Sequence, residues 1–553
     1  MLLSFRYYMI KAMALPPRSE DSGQGKHETA SLLKGGEEER TFSWQKKEGG
    51  KVVPAPETFP SPPPASQQEG ASFLEEEKKE VSPPPPTPPV SGASLTPPTE
   101  PQPPVAGIPP SSPPPPPPIT EKKKFLGSKG WLLGLIILLL AGGGAFWWFS
   151  HRSPSEEEKI VELTYWGLWE PPAVMEGVIA EFEKTHPEVK INYEQQSITD
   201  YRLRLQNALA SGRGPDIFRF HNTWLPMFKG DLAPLSPNLV AQIGLENDFY
   251  PVGVEAIRSG NSFYGVPLMV DTLALFYNKD LLAAANISVP KTWDEFRQAA
   301  YQLTQREENG RLRVAGVALG AASNVDHWSD ILGLMMLQNE VNLAGPYDEI
   351  ARQAFDFFMV FSREDKVWDE TLPASTIAFA GNKLAFYFGP SWRIINLHEL
   401  NSNLNFGVAP VPQLPQIPGQ ERPVSWASFW VEGVSNKSQR QDLAFEFLAY
   451  LAQSETLERV FQAGSQVHYV GALYPRRSLA STLENDPLLS PFLKQASYAK
   501  SWYLCSRTFD NGINDTIRKY FEDAINRSLS GGDPQLETVV SQGVASVLQK
   551  YGL

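Results

Sequence analysis

The residues from 266 to 277 constrain the fold most, because they place one acidic side chain inside an otherwise apolar run. The run reads VPLMVDTLALFY, is rich in β-branched, aromatic and leucine residues, and carries Asp271 near its middle. This composition predicts a buried strand. A buried carboxylate is costly unless it is hydrogen-bonded, so we expect Asp271 to meet either a ligand or a backbone amide near a hinge.

The residues that follow this strand predict two helices. A short apolar helix is expected from Leu281, and the motif P-x-T-W-D-E occupies positions 290–295. Thr292 can cap a helix whose first turn carries Asp294 and Glu295, where acidic side chains are favourable.

The residues before the run alternate between strand and helix patterns. We expect strands at 160–166, 189–193 and 217–220, separated by helices with one apolar face each. This order is typical of a mostly parallel sheet covered on both faces. Ligands of such sheets bind outside the carboxyl ends of the strands, which predicts a site at the loops after the first and third strands and at Asp271.

Several motifs occur in a fixed order along the chain. They are G-x-G-P-D-I at 212–217, G-D-L-A-P-L at 230–235, G-V-P at 265–267, Y-N-K-D-L at 277–281 and P-x-T-W-D-E at 290–295. This order resembles the bacterial extracellular solute-binding proteins of family 1, the maltose-binding-protein-like sugar receptors of ABC importers. The resemblance covers residues from about 160 to 552, and an unrelated α/β domain is the alternative.

The resemblance implies an α/β periplasmic-binding-protein fold of two lobes, type II-like, with an interlobe hinge. The first lobe is expected at about 160–270 and 430–478, and the second at about 275–425 and 479–553. In this family one crossing strand carries a ligand-binding carboxylate, which falls on Asp271. A second crossing is expected at 424–430, where an aromatic pair replaces the usual glycine.

The resemblance also implies a ligand-facing tryptophan at the end of the segment FAGNKLAFYFGPSW, which places it at Trp392. A serine is inserted before this tryptophan relative to the family pattern. Maltose binders carry an Asp and an Arg after the third strand, where this chain has Thr223 and Trp224, so the ligand need not be maltose.

Aromatic and polar residues are concentrated at predicted strand ends and loops. Sugars present apolar C–H faces and hydroxyl groups, so indole rings beside carboxylates and amides predict a carbohydrate site. For each of the tryptophans core packing is the alternative, and His221 could equally be an ordinary loop residue. The candidate ligand-binding residues are Trp166, Trp169, Glu170, His221, Asn222, Trp224, Asp271, Trp328, Trp392 and Trp426.

The N-terminal part has a different composition. About half of the 50 prolines fall between positions 51 and 118, which predicts a disordered tail over residues 1–125. Residues 130–150 lack charge and are mostly apolar, which predicts a transmembrane helix, followed by a linker at 151–159. Lysines precede the helix, so we expect a cytoplasmic N-terminus and an extracytoplasmic domain. The single cysteine, Cys505, allows no disulfide within the chain and no N-terminal lipid anchor of the family's kind.

Charge and motif content narrow the function. The net charge of −13 argues against a nucleic-acid partner. The common hydrolase, metalloprotease and nucleotide-binding motifs are missing and the seven histidines are scattered, so we expect a non-enzyme without metal or cofactor. With these exclusions, the resemblance implies a membrane-anchored receptor that delivers an oligosaccharide to an ABC transporter permease. The alternatives are a sensor or scaffold that signals to a cytoplasmic partner of the proline-rich tail, and a glycan hydrolase.

Overall fold

The computed structural model describes residues 160–345, 348–415, 418–419 and 421–553. The predicted tail at 1–125, the predicted transmembrane helix at 130–150 and the linker at 151–159 lie outside the described residues. Within the described part of the chain, no helix is both long enough and apolar enough to cross a bilayer.

Strands and helices alternate through most of the described residues. The strands are β1 (Val161–Gly167), β2 (Val189–Gln195), β3 (Ile217–His221), β4 (Arg258–Ser259), β5 (Ser262–Phe263), β6 (Ala274–Asn278), β7 (Gln305–Arg306), β8 (Leu312–Val317), β9 (Leu384–Gly389), β10 (Phe406–Ala409), β11 (Ser425–Trp426), β12 (Trp430–Val434) and β13 (Ala499–Lys500). The helices are Pro172–Thr185, Tyr201–Ala210, Leu225–Phe228, Pro237–Gln242, Leu245–Asp248, Pro251–Ala256, Lys279–Ala284, Trp293–Leu303, Trp328–Gln338, Glu349–Arg363, Ser375–Ala380, Arg393–Leu400, Gln441–Leu451, Ser454–His468, the 3₁₀ helix Arg477–Leu483, Ser490–Ala496, Ile513–Leu529, the π-helix Leu536–Val540 and Ser541–Lys550.

Two sheets organise these elements into two lobes. The first lobe is built on a four-stranded sheet in the order β12-β3-β1-β2, in which β1 is parallel to β2 and β3 while β12 is antiparallel to β3. The second lobe is built on a five-stranded sheet in the order β10-β6-β9-β8-β7, in which only β8 and β9 run parallel. The three strands predicted before residue 221 are confirmed, and the late helix Ile513–Leu529 packs on Glu349–Arg363.

The strand predicted over 266–277 is wrong in its length. Only β6, Ala274–Asn278, is a strand, and the residues before it hydrogen-bond to three separate neighbours. The amide of Val266 donates to the carbonyl of Glu432 at 2.7 Å, that of Val270 to Leu473 at 3.0 Å and that of Leu273 to Trp426 at 2.9 Å. The segment therefore forms its backbone hydrogen bonds without pairing along one continuous strand. Its apolar pattern indicates that it is buried, and does not show that it is a strand.

The helix Trp293–Leu303 forms where its capping motif predicts. The Thr292 hydroxyl accepts from the Glu295 amide at 3.3 Å, and the Glu295 carboxylate accepts from the Thr292 amide at 3.2 Å, so both halves of a capping box are present. The buried face of this helix places Phe296 against Phe386 of the second sheet, with ring centroids 5.1 Å apart.

We expect Thr292→Ala to lower the free energy of unfolding of the second lobe by about 1 kcal/mol, because the amide of Glu295 loses its side-chain partner. Urea unfolding followed by circular dichroism measures the change. Thr292→Ser keeps the hydroxyl and is expected to stay close to the wild type. Equal losses in both variants would show that the cap is not the cause.

Candidate functional site

In each of the two sheets, the candidate residues lie at one edge. Since β1 and β3 are parallel and β12 is antiparallel to them, the loop with Trp169 leaves β1 at the edge where Trp430 begins β12. In the second lobe, the loops after β8 and β9 carry Asp326 and Trp392, and β6 begins at the same edge just after Asp271. These are the carboxyl ends of parallel strands, the place where open α/β sheets bind ligands.

The two crossing segments bring these edges together. Thr272 forms an isolated bridge with Ala427, and the amide of Ser428 donates to the carbonyl of Asp271 at 3.1 Å. Because β6 and β12 start within a few residues of this pairing, the two edges lie on either side of it. The candidate residues of both lobes therefore flank one region.

The first lobe presents an aromatic pair, Trp169 and Trp430. Trp169 lies in the loop after β1, with 38% of its surface exposed, and its ring centroid is 5.6 Å from that of Trp430 in an edge-to-face arrangement. Trp430 lies opposite His221 across β12 and β3, and their rings are 5.1 Å apart. The pair leaves one indole accessible and supports it from behind.

Glu170 fixes the loop that carries Trp169. The carboxylate of Glu170 is buried and pairs with the guanidinium of Arg219 on β3. The backbone carbonyl of Glu170 accepts a hydrogen bond from the Tyr193 hydroxyl at 2.6 Å. A ligand contact by Glu170 stays a prediction, since the structure pairs its carboxylate with Arg219.

Arg219 is the centre of a buried charge network. Its Nε donates to Oε1 of Glu432 at 2.6 Å, and the Tyr165 hydroxyl donates to the same oxygen at 3.1 Å. Burial alone would lower the pKa of Arg219, but the carboxylates of Glu170 and Glu432 raise it well above its ordinary value. Burial raises the pKa of Glu432, whose second oxygen has no hydrogen-bond partner. One cation thus pairs with two acidic side chains, one from the loop that carries Trp169 and one from β12.

His221, Asn222 and Trp224 follow β3 and are all buried. The ring nitrogens of His221 lie 2.8 Å from the Thr223 hydroxyl and 3.0 Å from the Ser428 hydroxyl. Burial lowers the pKa of His221 to about 4, so the ring is neutral at physiological pH. Trp224 is completely buried, between Phe228 and Trp430 among others.

Asn222 connects the two lobes. Its side-chain nitrogen donates to the Ser501 hydroxyl at 2.8 Å, and its side-chain oxygen accepts from the Phe429 amide at 3.1 Å. Both donor and acceptor of this amide are therefore used by the protein. Trp166, on β1, is partly buried and packs against the core.

The second lobe presents Trp392, whose surface is 38% exposed. The guanidinium of Arg393 lies 4.4 Å from the centroid of this ring, and the ring of His327 lies 5.7 Å from it edge-to-face. The indole is thus fixed by a cation–π contact and a neighbouring ring while it stays accessible. The extra serine before Trp392 does not bury it.

A cluster of paired charges lies behind Trp392. Asp326 pairs with Arg393 at 3.2 Å and with Arg507 at 2.8 Å. Burial alone would raise the pKa of Asp326, but the two guanidinium groups hold it well below its ordinary range. Burial and Arg393 lower the pKa of His327 to about 4, although Asp330 acts in the opposite direction.

Trp328 and Trp426 lie in the core of the second lobe. Trp328 is 4% exposed and Trp426 is 1% exposed, and the indole N–H of Trp426 donates to the Asp330 carboxylate at 2.9 Å. A ligand contact by either ring stays a prediction. Their burial agrees with core packing, the alternative that the sequence left open for each tryptophan.

The carboxylate of Asp271 accepts hydrogen bonds from the second lobe. The Ser391 amide donates to its two oxygens at 3.0 and 3.2 Å, and the Ser391 hydroxyl donates at 2.8 Å. Burial raises the pKa of Asp271 to about 7, and these hydrogen bonds offset part of that effect. A loop amide, one of the two expected partners, thus satisfies this carboxylate.

Sequence reasoning missed several residues of the two faces, namely Arg219, Asp326, Asp330, Arg393, Trp430, Glu432 and Arg507. Arg219 and Glu432 could have been found, since a charged residue inside an apolar strand is the signal that identified Asp271. The partners of Asp326 could not, because Arg507 is 181 residues away along the chain.

The chain matches the model of a known protein family. The family model described as "Bacterial extracellular solute-binding protein" matches residues 167–457, slightly more than half of the chain. The chain belongs to this family.

Individual relatives are distant. A maltotriose-binding protein of Pyrococcus abyssi is 23% identical over 340 residues, which cover 59% of this chain and 69% of that protein. A maltodextrin-binding protein of Bacillus subtilis is 23% identical over 315 residues, which cover 53% and 69%. The solved structure of the sugar-binding protein MalE of Xanthomonas citri superposes with a TM-score of 0.57 at 22% identity and covers 71% of this chain and 98% of that one. That structure shares the two-lobe α/β fold described above.

We expect the stability of this solute-binding protein to depend on the protonation of Asp271. The pKa of Asp271 in the folded chain is about 7, above the ordinary value of 3.8. The stability that the protonated carboxyl group contributes to folding is therefore complete below pH 4 and is lost as the pH rises through 7. Each pKa unit corresponds to about 1.4 kcal/mol.

The measurement is urea unfolding of the wild type and Asp271→Asn between pH 4 and pH 8. The wild type should lose stability relative to the variant as the pH rises. Asp280→Asn, at an exposed carboxylate on the adjoining helix, is the matched control and should leave the profile unchanged. Parallel profiles for the wild type and Asp271→Asn would contradict the assignment.

Proposed function

We propose that this solute-binding protein captures a carbohydrate between its two lobes and delivers it to an ABC transporter permease. The observation that carries the proposal is the pair of accessible indoles, Trp169 and Trp392, at the facing edges of the two sheets. Flat aromatic rings stack on the C–H faces of sugars, and the neighbouring polar groups can accept or donate hydroxyl hydrogen bonds. The carbohydrate-binding names of the relatives support the same ligand class.

Capture depends on closure of the two lobes. A ligand that contacts both Trp169 and Trp392 gains its full set of contacts only when the lobes are together. Its higher affinity for that form shifts the population toward it, which gives a permease a surface that reports occupancy. The proposed reaction is binding and release without turnover of the glycan.

The proposed division of the chain follows the sequence expectation. The lobes comprise about 160–270 with 430–478, and about 275–425 with 479–553. A helix at 130–150 anchors the domain, the proline-rich tail at 1–125 lies in the cytoplasm, and the lobes are extracytoplasmic. The composition of each segment supports these assignments.

We expect the purified full-length chain to bind an oligosaccharide in a glycan screen, with a change in tryptophan fluorescence. Trp169→Ala and Trp392→Ala should each weaken binding about tenfold or more, since each removes one stacking platform. Trp293→Phe, a substitution in the buried core of the second lobe, serves as the matched control and should keep the wild-type affinity. A screen without any bound glycan, or equal losses in all three variants, would contradict the proposal.

We expect deletion of residues 131–149 to release the chain from the membrane fraction of cells that express it, because the proposed anchor is then missing. Deletion of residues 83–118, in the proline-rich tail, should leave the chain in that fraction. Carbonate extraction and immunoblotting measure the distribution. Retention of the 131–149 deletion in the membrane fraction would show that the anchor lies elsewhere.

A further inference from the structure

Arg202 of the first lobe donates hydrogen bonds to the backbone of the second lobe. It lies on the helix Tyr201–Ala210, and its Nε donates to the carbonyl of Asp510 while its Nη2 donates to the carbonyl of Asn511 at 3.4 Å. Its remaining nitrogen, Nη1, donates to Gln206 of the same helix at 2.6 Å. One side chain therefore uses its planar fork on two successive carbonyls across the lobe boundary.

The loop that offers these carbonyls has an unusual backbone. Arg507, Phe509 and Asn511 have φ angles of 54°, 49° and 43°, in the left-handed region that non-glycine residues seldom adopt. Such conformations persist only where the surroundings hold them, and they concentrate at ligand clamps and switches. The two carbonyls that Arg202 contacts, those of Asp510 and Asn511, belong to this loop.

The loop is held firmly to the second lobe on its other side. The carboxylate of Asp510 accepts from the amides of Gly512, Asn514 and Asp515, which begin the helix Ile513–Leu529. Arg507 pairs with Asp326 of the charge cluster behind Trp392. The position of the two carbonyls is therefore coupled to the face that presents Trp392.

Three other side-chain contacts between the lobes lack a guanidinium group. The Asn222 side chain donates to the Ser501 hydroxyl at 2.8 Å, the Asn514 side chain donates to the Thr223 hydroxyl at 2.7 Å, and the exposed rings of His398 and Tyr469 stack with centroids 4.3 Å apart. None of the three involves a pair of charge-assisted hydrogen bonds. The contact made by Arg202 does involve such a pair. Hydrogen bonds from charged donors contribute more to stability than those between neutral groups.

We propose that Arg202 is a positioning residue for ligand capture: its hydrogen bonds to the 510–511 carbonyls stabilise the closed arrangement of the lobes, so that part of the unliganded population is already closed. In that part of the population, the faces that carry Trp169 and Trp392 are brought together without a ligand. The inference rests on the proposed function only where it concerns ligand affinity, since the position of the lobes is measurable without any ligand.

The test measures the interlobe distance in the full-length, unliganded chain. Glu176→Cys and Gln298→Cys place spin labels on exposed helical positions of the first and second lobes, while the native Cys505 is buried. The wild-type background should show a short distance, from the closed form, beside a longer one. Arg202→Ala should raise the ratio of open to closed forms about tenfold, the loss expected for one charged hydrogen-bonding group.

Arg204→Ala is the matched control. Arg204 lies two residues further along the same helix and donates only to the carbonyls of Ser197 and Thr199 in its own lobe. Arg204→Ala should leave the distance distribution unchanged.

Arg202→Lys keeps the charge but cannot span two carbonyls with a planar fork. Its ratio of open to closed forms should therefore fall between those of the wild type and Arg202→Ala, and it remains informative if Arg202→Ala does not fold. A wild-type distribution in Arg202→Lys and Arg202→Ala, or an equal shift in Arg204→Ala, would overturn the proposal.

A second readout uses maltotriose as the probe. If it binds, Arg202→Ala should weaken the affinity mainly through faster dissociation, because the closed form is less stable. Unchanged dissociation together with an unchanged distance distribution would refute the role of Arg202. Failure of maltotriose to bind the wild type would count against the proposed function. It would not affect the test of the Arg202 contact, because the distance measurement needs no ligand.

Discussion

The pairing of two chain crossings decides where the remaining parts of the molecule lie. Thr272 bridges Ala427, and the amide of Leu273 donates to the carbonyl of Trp426 at 2.9 Å. The strand β6 begins immediately after the first crossing, and β12 begins shortly after the second. This one set of backbone hydrogen bonds therefore aligns the edges of both sheets. Without it, the loops that end in Trp169 and Trp392 would have no common region to face.

The elements that depend on local information were predictable. The capping box at Thr292 and Glu295 lies within four residues, and the strands of the first sheet follow from alternation of apolar residues. The segment 266–273 was not predictable in the same way, because its amides bond to residues more than a hundred positions away. An apolar pattern records that a segment is buried, while its hydrogen-bond partners are set by tertiary structure.

The location of the candidate residues was predictable, but their exposure was not. The rule that ligands bind at the carboxyl ends of strands selected loops that the structure places at one edge of each sheet, yet it could not separate an accessible indole from a buried one. Trp169 and Trp392 keep 38% of their surface, whereas Trp224 is completely covered. The difference arises from neighbours such as Phe228 and Trp430, which the chain brings together only after folding.

The electrostatics of the two faces bear on the kind of ligand that fits between them. In the first lobe Arg219 is shared by two carboxylates, and in the second Asp326 is shared by Arg393 and Arg507. The histidines beside both faces are neutral because burial lowers each pKa to about 4. A charged ligand would have to compete with these internal pairs, and breaking a buried pair costs more than the pair contributes. An uncharged polyhydroxyl ligand that stacks on two indoles avoids that cost, so the pairing of charges within each lobe favours a neutral sugar over an acidic one.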